Sequence, residues 1–470
     1  MVTQEFLHAV VRLVGEDNCL TSPALCAPYL QEQRGRFESL ANVVILPTTT
    51  EEVSAVVKLC AEHKIQIVPQ GGNTGLVGGT VATTNNEVLI NLQRMNRIIS
   101  LDAKDYTMTV EAGCTLQQVK NAAVVQHRCF PMGLSVAAKC QIGGVLSTNA
   151  GGINVLRYGM ARDMVLGIEA VLPNGDIVNT LSSTRKNNIG FDVKQLFIGT
   201  EGALGIITKA TLKLFPLPEQ RQTFVLACTS IEHVIEAFMV TKNALGEILS
   251  AFELLSKPAI QLVAKHRKEL QNQHFSLSHP WLVLAELESS RAFPVANLAA
   301  TLCEDLLKQK IVADILVPSN KEDAEKLWKI RTEIPWVQRE EGASIKHDIA
   351  LPLSQWANFM SAAEEKILQK NARVRIVAFG HLGDGNIHYN LMQPIGVQAA
   401  DFLEKMPIYN EIVHDLVHQY GGTFSAEHGI GLAKRAEVLK YVAPEVITLQ
   451  QKLKMLIDPT NTLNPHKGGV

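Results

Sequence analysis

Apolar positions change their period along this chain. Between residues 40 and 215 they fall in short runs of strand length: Val43–Leu46, Ile65–Pro69, Val88–Leu92, Thr107–Glu111 and Ile206–Leu214. Glu51–His63 instead spaces Val53, Val56, Val57 and Cys60 as one face of a helix. Pro173-Asn174-Gly175-Asp176, between two apolar runs, predicts a hairpin turn, since Asn and Gly tolerate the backbone such turns need. Strands mixed with helices predict an α+β domain over 1–218, closed by the proline-rich Phe215-Pro216-Leu217-Pro218. Over 219–415 strands such as Thr223–Ala227 and Trp281–Leu287 alternate with helices such as Ile231–Leu245 and Pro294–Gln309, which predicts an α/β sandwich. Tyr409–Tyr420 and Ala443–Ile457 have helical spacing, so 416–470 reads as a helical C-terminal segment ending in the loop Asn464–Gly469.

Composition narrows the classes. The 470 residues suffice for two or three cores, with 46% hydrophobic and 19% charged positions. A net charge of −2 gives no pull toward nucleic acid or an anionic membrane. No apolar run reaches the ~18–20 residues of a transmembrane helix. The start of the chain, broken by Glu5 and Arg12, does not read as a signal or transit peptide. The eight cysteines are dispersed without a CxxC pair, which argues against a disulfide scaffold or a cysteine zinc site and predicts a reducing, cytoplasmic setting.

Three glycine-rich loops carry the first chemical signal. They are Gln70-Gly71-Gly72-Asn73-Thr74-Gly75, Gly143-Gly144 through Thr148-Asn149-Ala150-Gly151-Gly152, and Gly199-Thr200-Glu201-Gly202-Ala203-Leu204-Gly205. Glycines let a backbone approach a ligand closely, and successive free N–H groups make an anion nest suited to a pyrophosphate. Any one loop could be only a tight turn; three in one domain favour a site. None is G-x-G-x-x-G or a P-loop, which disfavours Rossmann NAD binding and nucleotide hydrolysis.

Gly380–Asn390 carries the second signal. If Asp384-Gly385 is a two-residue hairpin turn, His381 lies opposite His388, with Asn390 on the same face. Glu427-His428 sits in the glycine-rich Ser425–Gly431. Two histidines and a carboxylate suit a catalytic divalent metal, most often zinc, with His428 left for proton transfer. A lone histidine is usually an ordinary polar residue; this grouping favours a site. Arg331 and Lys346 could each grip a carboxylate or simply face solvent.

Gln70–Gly75, Pro131-Met132-Gly133 with Ile142-Gly143-Gly144, Asn149–Gly152 and Gly199–Ile206 resemble the FAD-binding domain of the vanillyl-alcohol-oxidase-type flavoproteins. The resemblance implies two small α+β subdomains around FAD. The first loop would wrap the pyrophosphate, the second would pass the isoalloxazine, and Ile206 would meet the flavin or adenine side. Implied cofactor contacts are Gln70, Gly71, Gly72, Asn73, Thr74 and Gly75, then Pro131, Gly133, Gly143, Gly144, Thr148, Asn149, Gly151 and Gly152, then Glu201, Gly205, Ile206 and Asn464. The first loop has no histidine, so FAD is expected to be non-covalent. The C-terminal segment would complete the active site and pack back on the FAD domain.

Gly380–Asn390 and Glu427–Gly431 are similar to the D-2-hydroxy-acid dehydrogenase branch, which includes D-2-hydroxyglutarate, D-lactate and glycolate enzymes, and the similarity runs from about Val43 to Lys467. It implies His381, His388 and Glu427 as metal ligands, His428 as catalytic base, and Arg331, Lys346, Asn390 and His428 as substrate contacts. Lys346-His347-Asp348 leans toward a dicarboxylate such as D-2-hydroxyglutarate; Pro335, where that branch has threonine, bears on the distal carboxylate. The expected reaction moves hydride from C2 of a 2-hydroxy acid to flavin N5, with a metal-bound hydroxyl. Electron-transfer flavoprotein or a quinone is the expected acceptor, and a homodimer stays open. The alternatives are a D-lactate or glycolate dehydrogenase and, from another class, a zinc hydrolase without flavin.

Overall fold

The strands read from the apolar runs form at nearly those positions in the computed structural model, which describes residues 2–270 and 279–469. The chain divides into two compact units. The first gathers the residues up to Gly151, Gly159–Leu217 and the stretch from Glu427 onward; the second comprises Gly152–Tyr158 and Pro218–Ala426.

Among the described residues the first unit holds a small two-stranded pairing of Arg128–Cys129 with Phe215–Pro216 and two larger sheets. One orders the strands Cys19–Leu20, Val44–Ile45, Glu87–Asn91 and Gln66–Gln70, and its last three run parallel. Glu87–Asn91 is buried along its whole length, which explains its unbroken apolar centre. The Thr50–Glu62 helix starts where the Thr49 hydroxyl accepts the Glu52 N–H at 3.1 Å, and buries Val53, Val56, Val57 and Cys60. The other sheet is antiparallel, in the order Ile98–Asp102, Thr107–Glu111, Ile206–Lys213, Val165–Val171 and Ile177–Asn179; residues 172–176 make the hairpin turn between the last two. The terminal loop joins the first sheet: Ile67 donates to the Thr462 carbonyl and accepts from the Asn464 N–H, both at 2.7 Å.

The second unit is an antiparallel sheet of eight strands among the described residues. Alternation along Gln220–Cys228 sends Phe224 and Leu226 to one face and Val225 and Ala227 to the other. The first face packs the helices Ile231–Leu245, Val295–Lys308, Trp356–Lys370 and Met406–Gln419; the second packs Lys257–His266 and Lys321–Glu341. Helices on both faces make the sandwich expected from the sequence. Among the described residues no helix is long and apolar enough to cross a membrane.

The hairpin register differs from expectation. Phe379, not His381, pairs with His388, because Leu382–Asp384 forms a 3-10 turn that ends at Gly385 with φ +83°. The loop is therefore longer than two residues. Gly380 allows it, since a Cβ there would lie 2.8 Å from the Asn386 carbonyl. The shift is two residues, so every side chain keeps its face, and the His381 and His388 rings still stand 5.5 Å apart. Lys346 and His347 lie between two short strands, Ser344–Ile345 and Asp348–Ala350, which pair separately with Asn386–Met392.

One ion cluster ties the Lys321–Glu341 helix to its neighbours. Glu341 meets Lys265 at 2.7 Å, His266 at 2.8 Å and Arg375 at 2.7 Å. Burial would raise the Glu341 carboxyl, but these partners outweigh it and hold it at about 2, against an ordinary 4.5. A depressed carboxylate stabilises the fold above its unfolded pKa and loses that contribution as pH falls toward its folded one. Glu341→Gln should therefore lower the melting temperature at neutral pH, and the gap to wild type should narrow as pH drops below about 4.5. Thermal unfolding across pH checks this; a constant gap counts against it.

Candidate active site

In the first unit, the Gln70–Gly75 loop follows the Gln66–Gln70 strand. Its two amide side chains turn back into the protein: Gln70 Nε2 donates to the Tyr29 carbonyl at 2.8 Å and Asn73 Nδ2 to the Gln31 carbonyl at 2.9 Å. Among the described residues nothing accepts from the backbone N–H groups of residues 71–75. Gly72 is obligatory, because a Cβ there would stand 1.9 Å from the Lys139 carbonyl; Cβ atoms on Gly75 or Gly144 would enter open space. Asn464 joins the first and third loops, donating to the Gly79 carbonyl at 3.1 Å and the Glu201 carbonyl at 2.5 Å. Its own Oδ1 and that of Gln141, Oε1, are buried without a partner. Unpaired N–H groups for an anion and orphaned acceptors for ring N–H groups fit the expected FAD.

Glu201 plays a part that its sequence position did not disclose. Its carboxylate accepts the N–H of Ile430 at 2.6 Å and of Gly431 at 2.9 Å, so those oxygens brace the loop after His428. Burial raises this carboxyl despite both amides.

The histidine centre is built on the Asn386–Met392 strand. Asp348 pairs with His388, with Asp348 Oδ1 at 3.8 Å from His388 Nδ1, and Asn386 Nδ2 fixes that Oδ1 from 3.0 Å. Thr423 exchanges backbone bonds with Ala350, and the Ala426 N–H donates to the Asp348 carbonyl at 3.2 Å. Glu427 and His428 follow directly along the chain. Asp348, His388, Glu427 and His428 each offer one ligand atom, all within 4.8 Å of one another. This donor set suits a divalent cation. Expected ligand His381 is not in that group; its Nδ1 lies 2.6 Å from Glu253 Oε1. An imidazole whose Nδ1 faces a carboxylate presents Nε2 as its ligand nitrogen, the usual arrangement behind a metal-bound histidine.

Arg331 is buried, 6% exposed, where a surface cation would be open. Its Nε donates to Glu253 Oε2 at 2.6 Å and its guanidinium lies 4.9 Å from the Phe379 ring centre. No described residue accepts from its Nη groups, which leaves them for a ligand carboxylate. Burial alone would raise the Glu253 carboxyl; His381 and Arg331 outweigh it and hold it at about 2. Asn390 donates to Gln338 at 3.0 Å, while its Oδ1 is buried without a partner. Lys346 is half-buried between the two short strands. Pro335, one turn after Arg331 in the Lys321–Glu341 helix, has no N–H for the Arg331 carbonyl.

Sequence reasoning missed Glu253 and Asp348. The signal for Glu253 was a lone acid inside Leu249–Ser256, a strand buried at every position. Asp348 was read only as part of Lys346-His347-Asp348 and not as a donor; the signal was its nearness to Lys346, itself expected to meet substrate.

Residues 217–468 match the family model described as the C-terminal domain of FAD linked oxidases, and residues 41–181 match an FAD binding domain. A mitochondrial D-2-hydroxyglutarate dehydrogenase of Danio rerio is 34% identical, over 99% of this chain and 85% of that protein. A putative mitochondrial D-lactate dehydrogenase of Schizosaccharomyces pombe is 33% identical, over 99% of this chain and 90% of that protein. Among solved structures, p-cresol methylhydroxylase with bound substrate superposes with a TM-score of 0.79 at 19% identity, covering 100% of this chain and 98% of that one. At that identity the likeness establishes the fold.

Proposed function

This chain belongs to the FAD-linked oxidases and is an FAD-dependent 2-hydroxy-acid dehydrogenase; from that premise we propose that it oxidises a D-2-hydroxy dicarboxylate, D-2-hydroxyglutarate fitting best, with a divalent metal, zinc by donor type. The observation that carries the reading is the meeting of His388, Glu427, His428 and Asp348 beside a strand whose Asn390 holds an unpaired amide oxygen.

His381, His388 and Glu427 are read as the ligands. Asp348 behind His388 repeats the carboxylate that Glu253 places behind His381, and both support Nε2 ligation. When bound, FAD supplies the two-electron acceptor for C2, and the cation supplies charge that makes the C2 hydroxyl more acidic. His428 takes the hydroxyl proton on a ring nitrogen. Arg331 and Lys346 hold the acid, so that one enantiomer presents its C2–H. The glycine loops hold the pyrophosphate through backbone N–H groups, and with no histidine in 70–75 the flavin is read as non-covalent. The hydrolase alternative lacks support once both FAD-family matches are counted. Pro335 favours the D-lactate or glycolate alternative, since it removes a hydroxyl from the Arg331 face. The acceptor is read as an electron-transfer flavoprotein or quinone. The eight free cysteines support a reducing compartment, the cytoplasm in the sequence reading; the two relatives named above are mitochondrial proteins.

Lys346→Met tests the dicarboxylate reading. Losing one charge-assisted hydrogen bond costs roughly 1.5–3 kcal/mol, on the order of tenfold to a hundredfold in kcat/KM. D-2-hydroxyglutarate should suffer more than D-lactate in steady-state assays. Equal losses would count against a distal-carboxylate contact.

A further inference from the structure

We propose that Glu253 is a positioning residue that couples substrate recognition to the metal centre, one buried carboxylate holding Arg331 with one oxygen and His381 with the other. The inference deepens the reading above and rests on it.

Glu253 sits in the Leu249–Ser256 strand directly across the ladder from His381. It is fully buried, at 0% exposure, so it has no solvent to fall back on. Its two oxygens divide their work: Oε2 accepts from Arg331 Nε and Oε1 meets His381 Nδ1, each at 2.6 Å. Both oxygens are taken up by these two side chains, so Glu253 acts through them rather than on substrate itself. A buried ion cluster is a poor source of stability, since apolar replacements of like volume often do as well. Its geometry has other consequences.

On the histidine side, a carboxylate at Nδ1 fixes the tautomer, the ring plane and the basicity of Nε2. On the arginine side, binding through Nε rather than the Nη pair orients the planar guanidinium and leaves its fork open for a carboxylate. Phe379 lies between the two functions: its ring stands 4.9 Å from the Arg331 guanidinium and 5.0 Å from the His388 ring. Glu253 also balances charge. With neutral His381, the Arg331–Glu253 pair sums to zero, so the fixed cation does not repel a divalent ion nearby. Glutamine keeps the shape and loses that balance.

The test uses the FAD-loaded full chain. Zinc affinity is measured by competition with a chromogenic chelator, without substrate, for wild type, Glu253→Gln and Glu253→Asp. KM and kcat for D-2-hydroxyglutarate are measured at saturating zinc. Glu253→Gln should bind zinc roughly 10–100-fold more weakly, the usual effect of losing such an outer partner. KM should rise more than kcat falls, with flavin content unchanged. Glu253→Asp keeps the charge but is one methylene too short to span both partners, so it should recover part of the zinc affinity. Zinc affinity and KM within twofold of wild type in Glu253→Gln would overturn the proposal. So would failure of both variants to fold with flavin, which would make Glu253 a folding residue. Failure of the parent reading shows separately, as a wild-type enzyme that binds no zinc.

Discussion

His428→Asn should slow reduction of the bound flavin by D-2-hydroxyglutarate roughly 10²–10⁴-fold, the range expected when a general base is lost. Asparagine roughly keeps the volume and a hydrogen-bonding tip but cannot accept the proton. FAD should stay bound, because the glycine-loop backbone groups proposed to hold it do not depend on this side chain. The metal should also stay. That point is sharp here, since His428 lies in the same four-residue group as Asp348, His388 and Glu427, and proximity alone fits a ligand as well as a base. Rapid anaerobic mixing isolates the reductive step from the acceptor, and metal analysis of the same sample separates the two roles. A variant that reduces its flavin at the wild-type rate, or that loses its metal, would remove His428 as the base.

Much of the fold was legible because its strands are continuous apolar runs and its helices have a clean apolar face. Thr107–Glu111 and Ile231–Leu245 form at the residues read. The His381 hairpin was legible in its faces but not its register. Asp-Gly signals a two-residue turn, yet the fold buries Leu382 in a 3-10 turn, and tertiary packing overrides the local signal. The glycine loops were legible as places of close backbone approach, as at Gly72, where a Cβ would stand 1.9 Å from the Lys139 carbonyl. The inward turn of the Gln70 and Asn73 side chains was not, because their partners Tyr29 and Gln31 are some 40 residues earlier in sequence. The partners of Glu253 were hidden for the same reason: it lies 128 residues from His381 and 78 from Arg331, and only the fold brings the three together.

Loss of the proposed metal carries the second large effect. A cation that acidifies the substrate hydroxyl contributes several kcal/mol to the transition state. At about 4 kcal/mol its removal costs on the order of 10³-fold, since each 1.36 kcal/mol is tenfold. Chelation, His381→Ala, His388→Ala and Glu427→Gln should each produce a loss of this order while the protein stays yellow. His388→Ala should be the most severe of the three, because the same residue also meets Asp348 and packs on Phe379. The measurement that reaches the central claim most directly is anaerobic flavin bleaching by D- and L-2-hydroxyglutarate, with enzyme as purified, metal-stripped and metal-restored. The D-enantiomer alone should bleach the flavin rapidly, with bleaching lost on stripping and regained with a divalent ion. Bleaching at full rate by verified metal-free enzyme, or none with any D-2-hydroxy acid, would contradict that claim.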